Sequence, residues 1–193
     1  MAYAPNVLAF AGSTRTESFN KKLIRVAAAA AKAAGADVTL IDLRDFPMPL
    51  YDGDLEAKDG VPPHGKRFKQ LMLSHDGLLL ACPEYNSSIT GVLKNAIDWA
   101  SRQEGEEKPL ACFTGKVAAL MSASPGVLGG LRGLVHVRAI LGNIKVLVLP
   151  DQVAVPKAVD AFHPDGSLKD PKQQAAIDQL GRSLVEVLRK LKG

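Results

Sequence analysis

The chain predicts an α/β fold, a five-stranded doubly wound parallel sheet with helices on both faces. Three observations predict it. Short apolar runs without polar alternation recur along the sequence, as strands buried on both faces require. Longer segments with helical apolar spacing stand between them. At 193 residues the chain can bury one sizeable core and leaves no room for a second, so residues 1–193 are read as one domain.

The strands are expected at Asn6–Ala11, Asp37–Ile41, Gly77–Ala81, Val117–Ser122 and Lys145–Leu149. The helices between them are expected at Phe19–Ala34, His64–His75, Gly91–Ser101 and Gly130–Leu141, with a last one at Lys172–Lys192. Leu23, Ala27, Ala30 and Ala34 mark the buried face of the first helix. Ile177, Leu180, Leu184, Leu188 and Leu191 mark that of the last. With right-handed crossovers this alternation fits the strand order 2-1-3-4-5, one of two common for such sheets. Asp42–Pro63, with four prolines and two glycines, reads as a long surface loop, and Pro150–Pro171 as a second irregular connection. Loops of this length often serve function or subunit contact.

Composition excludes several classes. Hydrophobic residues make up 47% and charged residues 23%, which is ordinary globular usage. No run reaches membrane-spanning length, and the start MAYAPNVLAFAGSTR lacks a basic leader region; a cytoplasmic protein with no membrane partner is expected. Cys82 and Cys112 are the only cysteines and read as buried small hydrophobes in a reducing compartment. The net charge of +4 comes from dispersed lysines and arginines, not a basic stripe interleaved with aromatics, so no nucleic-acid partner is expected. His64, His75, His136 and His163 lack metal-ligand spacing, and no GxSxG elbow is present.

Ligands of open α/β sheets bind outside the carboxyl ends of the strands, which singles out three segments. AGSTRTESFNKKL runs from the first strand into the first helix. Ser13, Arg15, Ser18 and Asn20, with Thr14 and Thr16, offer donors around a helix start, which is an anion site; Arg15 adds a planar charged fork. A plain helix cap by Thr14 with Glu17, or by Ser18, is the competing reading. Neither GxxxxGK[ST] nor GxGxxG is present. ACPEYNSSITGVLKNAIDW follows the third strand, where Tyr85 offers an aromatic face and Asn86, Ser87 and Ser88 offer donors to a planar heterocycle; taken alone, the segment also reads as a turn and helix cap. SASPGVLGGLRG follows the fourth strand, and Ser122, Ser124, Gly126, Gly129 and Gly130 suit close backbone approach to a ligand; a turn followed by a helix start explains the glycines equally well. A phosphate cradle and two ring-lining loops on one edge fit a mononucleotide such as FMN better than a dinucleotide.

At these residues the sequence resembles the NADPH-dependent FMN reductase family, which includes quinone, chromate and azo-dye reductases. The likeness rests on GSTRTESFN at Gly12–Asn20, PEYNSSITGVLKNAIDW at Pro83–Trp99 and, more loosely, GVLGGLRGLVHVRAILG at Gly126–Gly142. It implies a flavodoxin-like fold, bound FMN, NADPH or NADH as electron donor, and a two-step exchange with a small-molecule acceptor. It implies phosphate binding by Ser13, Arg15, Ser18 and Asn20. Pro83, Glu84, Tyr85, Asn86 and Ser87 would line the isoalloxazine and ribityl chain, with Ser122, Ser124 and Gly126 closing the other side. A homodimer or homotetramer is implied as well, with Pro47–Pro63 placed to reach over a neighbour's site. No catalytic acid is expected, because flavin chemistry asks the protein for geometry and electrostatics. Where the family commonly reads PEYNGSIPG, this chain has Ser87 and Thr90; serine fits only if that backbone is not strongly left-handed, and Thr90 suits a helix start. The alternatives are an FMN electron carrier without NAD(P)H activity, disfavoured by the basic charge and the arginine-bearing loop, and a binding protein with a vestigial pocket.

Overall fold

A computed structural model describes residues 3–192. The elements are β1 (Asn6–Ala11), α1 (Phe19–Ala33), β2 (Asp37–Asp42), α2 (Gly53–Asp59), α3 (Pro63–Ser74), β3 (Gly77–Ala81), β4 (Glu84–Tyr85), β5 (Ser88–Ile89), α4 (Gly91–Ala100), β6 (Val117–Ala123), α5 (Leu131–Asn143), β7 (Leu147–Val155) and α6 (Pro171–Lys192). The main sheet runs β2-β1-β3-β6-β7, parallel throughout. Counted along the sheet's own five strands, this is the expected 2-1-3-4-5. β4 and β5 form a separate antiparallel hairpin.

Strand periodicity divides the core into two layers. Val7, Ala9 and Leu79 face Leu23, Ala27, Leu180 and Leu184 of α1 and α6. Leu8, Phe10 and Leu80 face Phe68, Leu93 and Leu134 of α3, α4 and α5. The alanines of α1 let α6 approach closely: a Cβ on Gly181 would lie 2.7 Å from the Ala27 carbonyl oxygen. Leu191 leaves the expected stripe, being 60% exposed.

Two stretches depart from expectation. β7 starts at Leu147, since Lys145 is left-handed with φ +71°, and it continues to Val155 through Pro150. A proline fits because β7 is an edge strand whose register shifts between Ala118 and Leu120. The long loop after β2 is also partly helical. Asp42 caps a 3-10 turn at Leu43–Asp45 by accepting from the Arg44 N–H at 3.0 Å. Asp52 caps α2 in the same way from Asp54 at 2.8 Å, and Gly60, with φ +71°, ends it. The loop lies on its own α4, where the Trp99 indole and the Asn95 amide donate to the Pro49 carbonyl at 2.8 and 2.9 Å.

Candidate functional site

The strand order reverses between β1 and β3, and ligands of doubly wound sheets occupy the crevice at such a reversal. The β1–α1 loop and the segment leading from β3 to α4 flank it, and the β6–α5 loop stands beside them.

In the β1–α1 loop, Gly12 donates to the Ala81 carbonyl at 2.9 Å and has Leu93 against its Cα, where a Cβ would sit 3.0 Å from that side chain. The loop therefore hugs the sheet edge. Ser18 takes the N-cap position of α1, yet its side chain makes no capping bond and the first turn holds no acid. The capping reading is thus not realised: the positive end of α1 stays open to an anion. Thr14, Arg15 and Thr16 are exposed around it, while Ser13 and Ser18 are buried; the Ser13 hydroxyl accepts from the Arg15 N–H at 3.2 Å.

The segment after β3 forms the β4–β5 hairpin around a two-residue turn. Asn86 and Ser87 have φ +51° and +65°, the paired left-handed residues of a type I′ turn. Ser87 therefore occupies a strongly left-handed position, against the condition set for it from sequence. Tyr85 is 50% exposed beside the turn. Thr90 caps α4, its hydroxyl accepting from Leu93 N–H at 3.2 Å and donating to the Gly12 carbonyl at 2.6 Å. A proline there could make neither bond.

Glu84 turns away from the crevice. Its carboxylate accepts from the Arg132 and Gly133 N–H groups at 3.0 and 3.2 Å and from Arg132 Nε at 2.8 Å. Burial works against its charge, but Arg132 and these two N–H donors prevail and hold its carboxyl below the usual range. Glu84 is the anion at the start of α5, so the α5 terminus is filled and that of α1 is open. Its side chain is thus unavailable to a ring, contrary to expectation.

The third loop is used mainly for packing. A Cβ on Gly129 would meet Val155 and Pro156 backbone atoms at 2.8 Å, and one on Gly130 would meet Ser122 Oγ at 2.0 Å. Both glycines, with φ +62° and +92°, make room for the protein itself rather than for a ligand. Ser122 is fully enclosed beneath Gly130, its hydroxyl without a hydrogen-bond partner, so it sits under the site and not on its surface. Ser124 accepts from Gly126 N–H at 3.2 Å, and Gly126 is exposed. Asn20, expected at the phosphate, pairs in both directions with the Ala123 backbone at 2.8 and 3.0 Å; its oxygen and one N–H are committed to holding β6. Thr90, Asn20 and Glu84 together tie the three loops pairwise.

Sequence reasoning missed Arg44, which reaches in from the loop after β2 and donates to the Thr16 hydroxyl. A cavity of about 770 Å³ lies elsewhere, along the edge of β2 between Lys21, Arg25 and Arg67, and is not lined by the three loops.

Residues 5–160 match the model of a family described as NADPH-dependent FMN reductase. The chain belongs to this family. It is 39% identical over 188 residues to an NAD(P)H-dependent FMN reductase of Pseudomonas aeruginosa, covering 97% of each chain. It is 34% identical over 186 residues to a quinone reductase of Pseudomonas putida, covering 93% of this chain and 94% of that one. Its fold superposes on a flavoenzyme NAD(P)H:(acceptor) oxidoreductase of Paracoccus denitrificans with a TM-score of 0.81, at 29% identity and with 97% and 98% of the two chains covered. The residues present fit the family's cofactor, since an open helix start ringed by hydroxyls and an arginine suits a phosphate monoester, and a solvent-facing tyrosine on a rigid hairpin suits a planar ring.

Proposed function

We propose that this protein is an NAD(P)H-dependent FMN oxidoreductase that reduces quinones and similar small acceptors. The observation that carries it is the open positive end of α1 at the strand reversal, with Arg15 in its loop and the segment that follows the Tyr85 hairpin tied to that loop through Thr90. Ser13, Arg15 and Ser18 hold the phosphate, with the spare amide N–H of Asn20. Pro83, Tyr85, Asn86 and Ser87 flank the isoalloxazine, with the Glu84 backbone, and Ser124 and Gly126 close the far side. Bound FMN supplies the hydride chemistry. The chain's residues would fix its position and leave access for a nicotinamide donor and a small acceptor, and this chemistry would ask for no general acid.

Val127, Leu128, Leu131 and Val135 are exposed in a row on and before α5, beside the hairpin. We assign this apolar stripe to subunit contact, giving a homodimer or homotetramer, a use common for such patches. Among the described residues no helix is long and apolar enough to cross a membrane. Free, buried Cys82 and Cys112 suit the cytoplasm.

Purified protein should show flavin absorbance bands and oxidise NADPH or NADH faster when a quinone is added. A colourless protein that FMN cannot reconstitute, or a flavoprotein that leaves both nucleotides unoxidised, would overturn the assignment.

A further inference from the structure

The phosphate loop is electrically incomplete. Between Gly12 and Asn20 it carries one arginine, Arg15, and one glutamate, Glu17, so its formal charge is zero. A phosphate monoester brings about −1.5 to −2 near neutral pH, and a helix N-terminus answers with about +0.5. A second cation from outside the loop would offset the remaining charge.

The neighbouring cations are not equivalent. Lys21 is committed to Asp42 at 2.6 Å. Lys22 lines a groove on the other side of α1, facing His163–Ser167. Arg44 alone lies on the loop itself, its Nη1 donating to the Thr16 hydroxyl. It is exposed, and it takes part in none of the ion pairs among the described residues. The nearby carboxylates do not neutralise it: Glu17 and Asp45 are exposed and form no such pair, and Asp42 gives one oxygen to Lys21 and the other to the Arg44 backbone. That backbone bond starts the 3-10 turn which aims the side chain at Thr16.

We propose that Arg44 is the second guanidinium of the phosphate site, contributed by the loop after β2 and held beside that site by its bond to Thr16. The inference rests on the FMN reading above. A flexible cation on a neutral hydroxyl leaves its charge unspent, and a dianion at the start of α1 is the ionic partner within its reach.

Riboflavin, which has the ring and ribityl chain of FMN without the phosphate, isolates the effect. Arg44→Ala should raise the FMN dissociation constant about tenfold, the effect of one charge-assisted bond at a partly exposed site. Riboflavin affinity should stay unchanged, and the FMN effect should shrink as salt is raised. Arg44→Lys should fall between. Flavin-fluorescence titration of the FMN-stripped protein measures each value, and an unchanged far-UV spectrum confirms folding. Equal weakening of both flavins would make Arg44 a loop-packing residue and overturn the proposal. So would unchanged FMN affinity, including the case in which only the KM ratio of NADPH to NADH moves, which would place Arg44 at the donor. Wild-type protein that binds neither flavin would remove the FMN reading itself, and this inference with it.

Discussion

Ser87 is the residue at which chain chemistry and backbone disagree. Left-handed φ costs a non-glycine residue about 1–2 kcal/mol, and glycine's extra freedom in the unfolded chain returns about 0.5–1 kcal/mol. Ser87→Gly should therefore stabilise the protein by about 0.5–1 kcal/mol, read as a higher urea midpoint at unchanged slope; a lower midpoint would show that the serine side chain supports the turn. That serine can hold this turn at all follows from its fixed ends, Glu84 bound to α5 and Thr90 bound to Gly12. The placing of Arg15 in the helix-start loop and of Thr90 as a cap was readable because local spacing carries both. The contacts of Asn20, Glu84 and Arg44 were not. Each is set by a partner in another loop, 103, 48 and 28 residues away, which no local pattern encodes.

Among elements, the α1–α6 seam is the most exacting. Alanine in place of Gly181 gains up to about 1 kcal/mol of helix propensity, but its Cβ would meet the Ala27 carbonyl oxygen at 2.7 Å and the Ala31 nitrogen at 3.1 Å. Backbone atoms on a packed helix cannot rotate away, and overpacking of this kind costs about 1–3 kcal/mol. Gly181→Ala should thus lower the thermal midpoint, and a rise would show that the two helices separate freely. The five sheet strands and their covering helices were legible because burial on both faces leaves long, unbroken apolar signals. α2 has no buried residue and hence no apolar stripe, and the two-residue strands β4 and β5 are too short to show a period. The extension of β7 through Pro150 depends on its edge position, which follows from strand order and not from composition.

At the level of the whole molecule, the end of the sheet opposite the site fastens the chain's two ends together. The Asp76 carboxylate accepts from the Tyr3 hydroxyl, the Asn6 N–H and the Lys192 ammonium, and Arg189 donates to the Tyr3 and Gly35 carbonyls at 3.2 and 3.3 Å. Burial opposes the Asp76 charge, but Lys192, Tyr3 and Asn6 together lower its pKa. A carboxylate with a folded pKa below its unfolded one, about 3.9 for aspartate, adds stability that is fully present above that value and disappears as pH falls through the folded pKa. Asp76→Asn should therefore lose stability at pH 7 and show a shallower decline below about pH 4 than the parent chain, as followed by urea unfolding across pH. Parallel curves for the two proteins would mean that Asp76 contributes nothing ionic. The opposite end of the sheet works on another principle. The ties Thr90–Gly12, Asn20–Ala123 and Glu84–Gly133 are made between protein groups alone, so the disorder of three loops is removed while the chain folds. A flavin bound there would meet loops already tied to one another, so little of its binding energy would be consumed in ordering them.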